Sequence, residues 1–127
     1  MAEYKAKLLK NGGGKNKIEY STTEHVIGEW IDGSTLYEKT INCGALPSST
    51  GSKTTNHEIP NLATVVEIEG FGKHSTSGNT IPIPRNSINA LTENITIYVT
   101  PTAVVIGVGE NQSVWNAYVT LRYTKTS

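Results

Sequence analysis

Glu24–Pro47 reads EHVIGEWIDGSTLYEKTINCGALP, and its punctuation decides the fold class. Asp32-Gly33 separates an apolar segment (Val26, Ile27, Trp30, Ile31) from a strand-like run, Thr35–Ile41. Glycine takes positive φ without steric cost and aspartate accepts a hydrogen bond from the backbone two residues on, so Asp-Gly between apolar segments signals a tight turn. Gly44–Pro47 then stops the run. This is the beginning of an all-β domain. Just upstream, Ser21-Thr22-Thr23-Glu24 has the spacing of a helix capping box, in which a hydroxyl and a glutamate satisfy free backbone donors. Gly28 and Gly33 leave little room for more than one helical turn after it. A turn or irregular loop anchored by Trp30, a framework residue, is therefore predicted up to Gly33.

Moving toward the C-terminus, Lys53–Ile59 reads as a polar, threonine-rich strand closed by Pro60-Asn61. Ala63–Glu69 is a clear strand ended by Gly70-Phe71-Gly72, with Val66 and Ile68 on one face and Val65, Glu67 and Glu69 on the other. Lys73–Thr80 contains no apolar residue and is predicted as a loop. Ile81-Pro82-Ile83-Pro84-Arg85 must be extended, because each proline restricts the residue before it, and two missing amide donors confine such a piece to a sheet edge. Asn94–Thr100 alternates cleanly, Ile95, Ile97 and Val99 one way and Thr96, Tyr98 and Thr100 the other. Ala103–Val108 is apolar enough for a strand covered on both faces. After the loop Gly109–Ser113, Val114–Thr124 forms the last strand, with Ala117, Val119, Leu121 and Tyr123 sharing a face. Six or seven short strands with turns between them predict an antiparallel β-sandwich or jelly-roll-like domain. The seventeen threonines and twelve isoleucines fit a pleated surface.

The 127 residues suit one domain, and an apolar content of 36% gives a thin core, so one apolar face is expected to be finished by a neighbour. Residues 1–19 read as an arm or linker: MAEYKAKLLK has a short helical flavour, and Asn11-Gly12-Gly13-Gly14 breaks it. Two readings of the arm stand, a disordered terminus and a docking peptide that orders on a partner. The domain then spans residues 20–127. Eleven basic residues balance eleven acidic ones, which removes the basic footprint of a nucleic-acid binder and makes an anionic membrane an unfavoured partner. No stretch approaches a membrane span, and no signal-peptide run is seen at the N-terminus. The single cysteine, Cys43, permits neither an intramolecular disulfide nor a cysteine metal cage, and reads as a small packed residue.

The order STTEHVIGEWIDGSTLYEKTI carries a resemblance. Tyr20–Thr22, Val26–Gly28, Trp30–Gly33 and Leu36-Tyr37 resemble the corresponding steps of a β-domain at the tip of tail-fibre and baseplate proteins of tailed bacteriophages and prophages, especially those of Gram-positive hosts. The resemblance runs from Tyr20 to the end of the chain. It implies a virion protein made in a bacterial cytoplasm, a homotrimer, contact with other virion proteins through residues 1–19, and a host cell-wall glycan or teichoic acid as ligand. Modules of this kind also serve as structural caps, collars and decorations of the particle.

The residues bear on three function classes. Enzymatic glycoside hydrolysis needs two carboxylates flanking the bond, one kept protonated. Asp32 is the only aspartate and sits in a turn signal, while Glu67 and Glu69 share a face as solvent alternation would also place them. His25, His57 and His74 lack ligand spacing, and no nucleophile elbow, phosphate loop or dinucleotide fingerprint is present, so neither metal nor cofactor is expected. A sugar-binding module needs an exposed aromatic face among amides and hydroxyls. The loop holding Asn111, Gln112, Trp115 and Asn116 offers one, the loop from His74 to Asn79 adds polar groups, and outward Tyr118 and Tyr98 offer a platform. Trp115 equally reads as a core residue at a strand start. The third class is the purely structural cap or decoration protein.

Overall fold

The computed structural model describes Ser21–Thr126, so the expected arm, residues 1–19, lies outside the described residues. Among the described residues eight strands form: β1 (His25–Glu29), β2 (Thr35–Ala45), β3 (Gly51–Asn56), β4 (Leu62–His74), β5 (Thr80–Ile83), β6 (Ile95–Val99), β7 (Ala103–Val108) and β8 (Trp115–Lys125), with one 3-10 turn at Leu91–Glu93. They build two antiparallel sheets, a five-stranded one in the order β1-β2-β8-β4-β5 and a three-stranded one in the order β3-β7-β6. The antiparallel sandwich read from the sequence is what forms. β2 pairs with β8 in one sheet and β3 with β7 in the other, so two long-range pairs nest as in a rolled hairpin. The winding stops there: β4 lies against β8 and β5, and β6 pairs with β7.

Alternation places the core. Ala117, Val119, Leu121 and Tyr123 of β8 are all fully buried, as their shared face predicts, and they meet Ile95, Val104, Ile106 and Val108 of the facing sheet. Each fully buried side chain of this size stabilises the fold by about 1.5–3 kcal/mol relative to exposure. β7 is buried along both faces, and β6 packs Ile97 and Val99 inward while Tyr98 stays exposed. Cys43 is buried, and burial pushes its thiol above its ordinary pKa. β5 is an edge strand bonded only to β4, as the prolines require. Beyond it, Arg85 exchanges two backbone hydrogen bonds with Ile95 of β6.

Several expectations are corrected. Residues 21–33 hold neither a helical turn nor an irregular loop throughout, because β1 pairs along β2 across the Asp32-Gly33 turn. The Ser34 amide donates to the Asp32 carboxylate at 2.9 Å, holding that carboxyl below its ordinary pKa, and Gly33 sits at φ +87°. Trp30 is half-buried and shapes the turn through its backbone, not through the core: its N–H donates to Ser34 O and its carbonyl accepts from Gly33 N. Val26, Ile27 and Ile31 are exposed, Ile31 at 89%. Ser21 Oγ accepts from Thr23 N, with no helix following.

β4 does not end at Gly70. It runs through Gly70 and Gly72 to His74 because both glycines pair with β5 and β8, which lie close by: a Cβ on Gly70 would meet Ile83 O at 3.2 Å, and one on Gly72 would meet the Trp115 Cβ at 3.3 Å, so a side chain there would press its neighbours back. An irregularity between Val65 and Glu67 turns Val65 toward the core, away from the face of Glu67 and Glu69 where strict alternation put it.

Candidate ligand-binding site

The outward face of the five-stranded sheet gathers side chains from its three middle strands. Directly opposed residues share a face, so the register fixes the pairs: Thr40 with Thr120, Asn42 with Tyr118, and, on the other side of β8, Glu69 with Thr120, Phe71 with Tyr118 and Lys73 with Asn116. A shallow cavity of about 590 Å³ opens here, lined by Thr22, Thr40, Glu69, Gly70, Phe71, Tyr118 and Thr120. Phe71 stacks on Tyr118 with ring centroids 5.3 Å apart and planes 22° off parallel. Phe71 remains 42% exposed, so the pair is a surface platform rather than core. Beside it Thr40 and Thr120 join hydroxyls at 2.8 Å. Thr120 is buried and its hydroxyl is committed to Thr40, so the set offers an apolar aromatic face with the Glu69 carboxylate at its rim, an arrangement that suits one face of a sugar ring.

One end of this face is charged. Arg122 Nε donates to Glu38 at 2.7 Å, Nη1 to Glu67 at 2.6 Å, and Nη2 lies 3.9 Å from Glu69. The Glu67 hydrogen bond raises the guanidinium pKa most, burial works against it, and Glu38 raises it further, leaving a permanent cation. Glu38 is 4% exposed, a buried carboxylate that Arg122 makes tolerable, and His25 Nε2 sits 3.2 Å from its other oxygen. Among the described residues no group of three or more histidine, cysteine, aspartate or glutamate side chains is arranged to hold a metal.

The residues singled out in the sequence fall in two places. Tyr118 and Asn116 belong to this outward face. His74, Asn79, Asn111, Gln112 and Trp115 cluster at one end of the sandwich, where Ser75 N donates to Val114 O and ties the two loops together. There they are mostly occupied with structure. His74 Nδ1 accepts the amides of Thr76 and Ser77 at 3.2 and 3.1 Å, which requires its lone pair. Its ring meets Trp115 edge-on at 5.1 Å, and Trp115 is half-buried, packed against the core. Asn111 Oδ1 accepts from Ser113 N, and the Asn79 carbonyl accepts from His74 N.

Gln112 is buried, 4% exposed: its backbone N–H donates to Pro47 O, its backbone carbonyl accepts from Trp115 N, and its side-chain Nε2 reaches Glu93 O at 3.5 Å. Tyr98 faces outward from the other sheet, so it cannot share a platform with Tyr118. Phe71, Thr40 and Thr120 line the cavity without having been singled out in the sequence, whereas Glu69 entered it only as half of a possible carboxylate pair with Glu67. The alternation Glu67, Glu69, Phe71, Lys73 is the signal that holds Phe71, and Gly70 and Gly72 hid it by imitating a strand end; Thr40 and Thr120 join through the pairing of β2 and β8.

Among the described residues no helix is long and apolar enough to cross a membrane. Compared with family models, curated proteins and solved structures, the chain matches none of them.

Proposed function

We propose that this chain is a non-enzymatic structural protein of a phage particle whose β-sandwich, as a homotrimeric fibre or baseplate tip, binds a host cell-surface glycan on the outward face of its five-stranded sheet. The observation that carries the glycan reading is the Phe71–Tyr118 stack, 5.3 Å between centroids, with Phe71 exposed and Tyr118 half-buried at the cavity that Glu69 also lines. Stacked aromatics exposed on a sheet are costly to leave wet and suit the apolar face of a sugar. The phage setting comes from the resemblance of Tyr20–Tyr37 to tip domains. Phe71→Ala and Tyr118→Ala each weaken binding to host cell-wall polysaccharide by about tenfold, roughly 1.4 kcal/mol, while the melting curve stays close to that of the unaltered chain. Titration calorimetry with purified polysaccharide reads the loss, and unchanged affinity in both variants removes this face from the function.

A second reading, a structural cap, collar or head-fibre decoration protein docked through residues 1–19, is favoured by β1. That strand is a sheet edge whose Val26 and Ile27 are 61% and 41% exposed, a surface suited to another protein.

A further inference from the structure

The charge around the cavity points to a narrower ligand class, and this step rests on the glycan-binding reading above. We propose that the cavity selects a sugar carrying a free amino group, and that Glu69 is the residue that selects it. Among the cavity's lining residues Glu69 is the one ionisable carboxylate, and no lysine, arginine or histidine lines it. The nearest guanidinium is already committed. Arg122 holds Glu38 and Glu67 at 2.7 and 2.6 Å, and its remaining approach to Glu69, 3.9 Å, is too long for a hydrogen bond. Three carboxylates thus approach one cation at this end of the face; Glu67 has one oxygen bonded to it and Glu69, its side chain 58% exposed, has neither. His25 faces Glu38, not Glu69. Lys73 follows Phe71 on the far side of the aromatic pair, opposite Asn116.

Glu69 and Phe71 lie two residues apart on one strand face, a separation of about 6–7 Å. A hexosamine ring laid on Phe71 and Tyr118 therefore brings an exocyclic ammonium to the Glu69 carboxylate and beside the electron-rich aromatic faces, two attractions for the same cation. N-acetylation removes that charge and both attractions. A uronic acid or phosphate-bearing sugar would instead set an anion beside Glu69 and Glu67, with no cation among the lining residues to receive it; Lys73, beyond Phe71, does not line the cavity.

The test compares three oligosaccharides by titration calorimetry on the full chain: a β-1,4-glucosamine tetramer, its N-acetylated counterpart and an oligogalacturonate. The glucosamine tetramer is expected to bind at least about tenfold tighter than the N-acetylated one, the scale of one charge-assisted hydrogen bond. Glu69→Gln abolishes that preference. Glu110→Gln, which removes the same charge from a carboxylate bonded to Thr92 away from the cavity, keeps it. Equal affinity for the two tetramers, a preference that survives Glu69→Gln, or tighter binding of oligogalacturonate overturns the selection, while loss of that binding in Phe71→Ala would leave the glycan reading in place. Absence of binding by all three removes both.

Discussion

At the scale of single residues, Glu24 shows how a side chain just outside a strand can fasten it. Its carboxylate accepts from the Tyr123 hydroxyl at 2.7 Å and from Lys125 Nζ at 2.9 Å, tying the segment before β1 to the far end of β8. Burial pushes this carboxyl up, but the Tyr123 and Lys125 hydrogen bonds together outweigh it and hold it below its ordinary value of 4.5. Tyr123 is driven the other way, by burial first and by Glu24 second, so its phenol stays protonated and keeps donating. A carboxyl whose pKa is lowered by folding contributes stability that is present above the ordinary value and lost as pH falls through the folded value. Glu24→Gln accordingly costs about 1–2 kcal/mol at neutral pH, and the gap to the unaltered chain closes as the pH is brought down through and below that ordinary carboxylate value. Urea unfolding at a series of pH values reads this, and a gap that stays constant at low pH contradicts it. The sequence showed Ser21-Thr22-Thr23-Glu24 as a capping box. The partner that Glu24 finds instead lies about a hundred residues away in the chain, a distance over which local spacing carries no information.

At the scale of elements, the β1–β2 hairpin separates what a turn signal specifies from what burial decides. Asp32-Gly33 set the reversal, and both the Asx hydrogen bond and the positive φ of Gly33 are there. The apolar residues before the turn nevertheless face solvent, because β1 is the outermost strand and only β2 receives a covering layer. Ile41, on β2, is 6% exposed and belongs to the core; Ile31, in the turn, is 89% exposed. Ile41→Ala is expected to lower stability by about 2–5 kcal/mol, whereas Ile31→Asp changes it by less than about 0.5 kcal/mol. Chemical denaturation of the two variants side by side checks the contrast. β4 teaches a related lesson. Glycine reads as punctuation in a sequence, yet Gly70 and Gly72 are strand residues whose missing side chains admit Ile83 and Trp115. Phe71 went unseen as a site residue for that reason.

At the scale of the whole molecule, the two nested pairs β2·β8 and β3·β7 join segments far apart in the chain, so sheet formation and tertiary folding are one event. The core residues of the sandwich run from Ile41 to Tyr123. A chain shortened to residues 21–127 is expected to keep its melting cooperativity and its glycan affinity. The proposed homotrimer predicts a solution mass near three times the 13.7 kDa chain in light scattering. A monomer at all concentrations would remove the trimeric tip and favour a stand-alone binding or decoration unit; a trimer in the full chain with a monomer in the shortened one would place the association in residues 1–20.

The all-β class, the Asp-Gly reversal, the edge position to which Pro82 and the following Pro84 confine β5, and the inward faces of β6 and β8 are written in the sequence, because each follows from local sterics or from a period of two along one strand. Which strands lie side by side, which apolar residues are covered, and the meeting of Phe71 of β4 with Tyr118 of β8 emerge in the folded molecule alone. Those outcomes depend on register between segments, and register is set by the packing of the whole sandwich rather than by any one stretch of it.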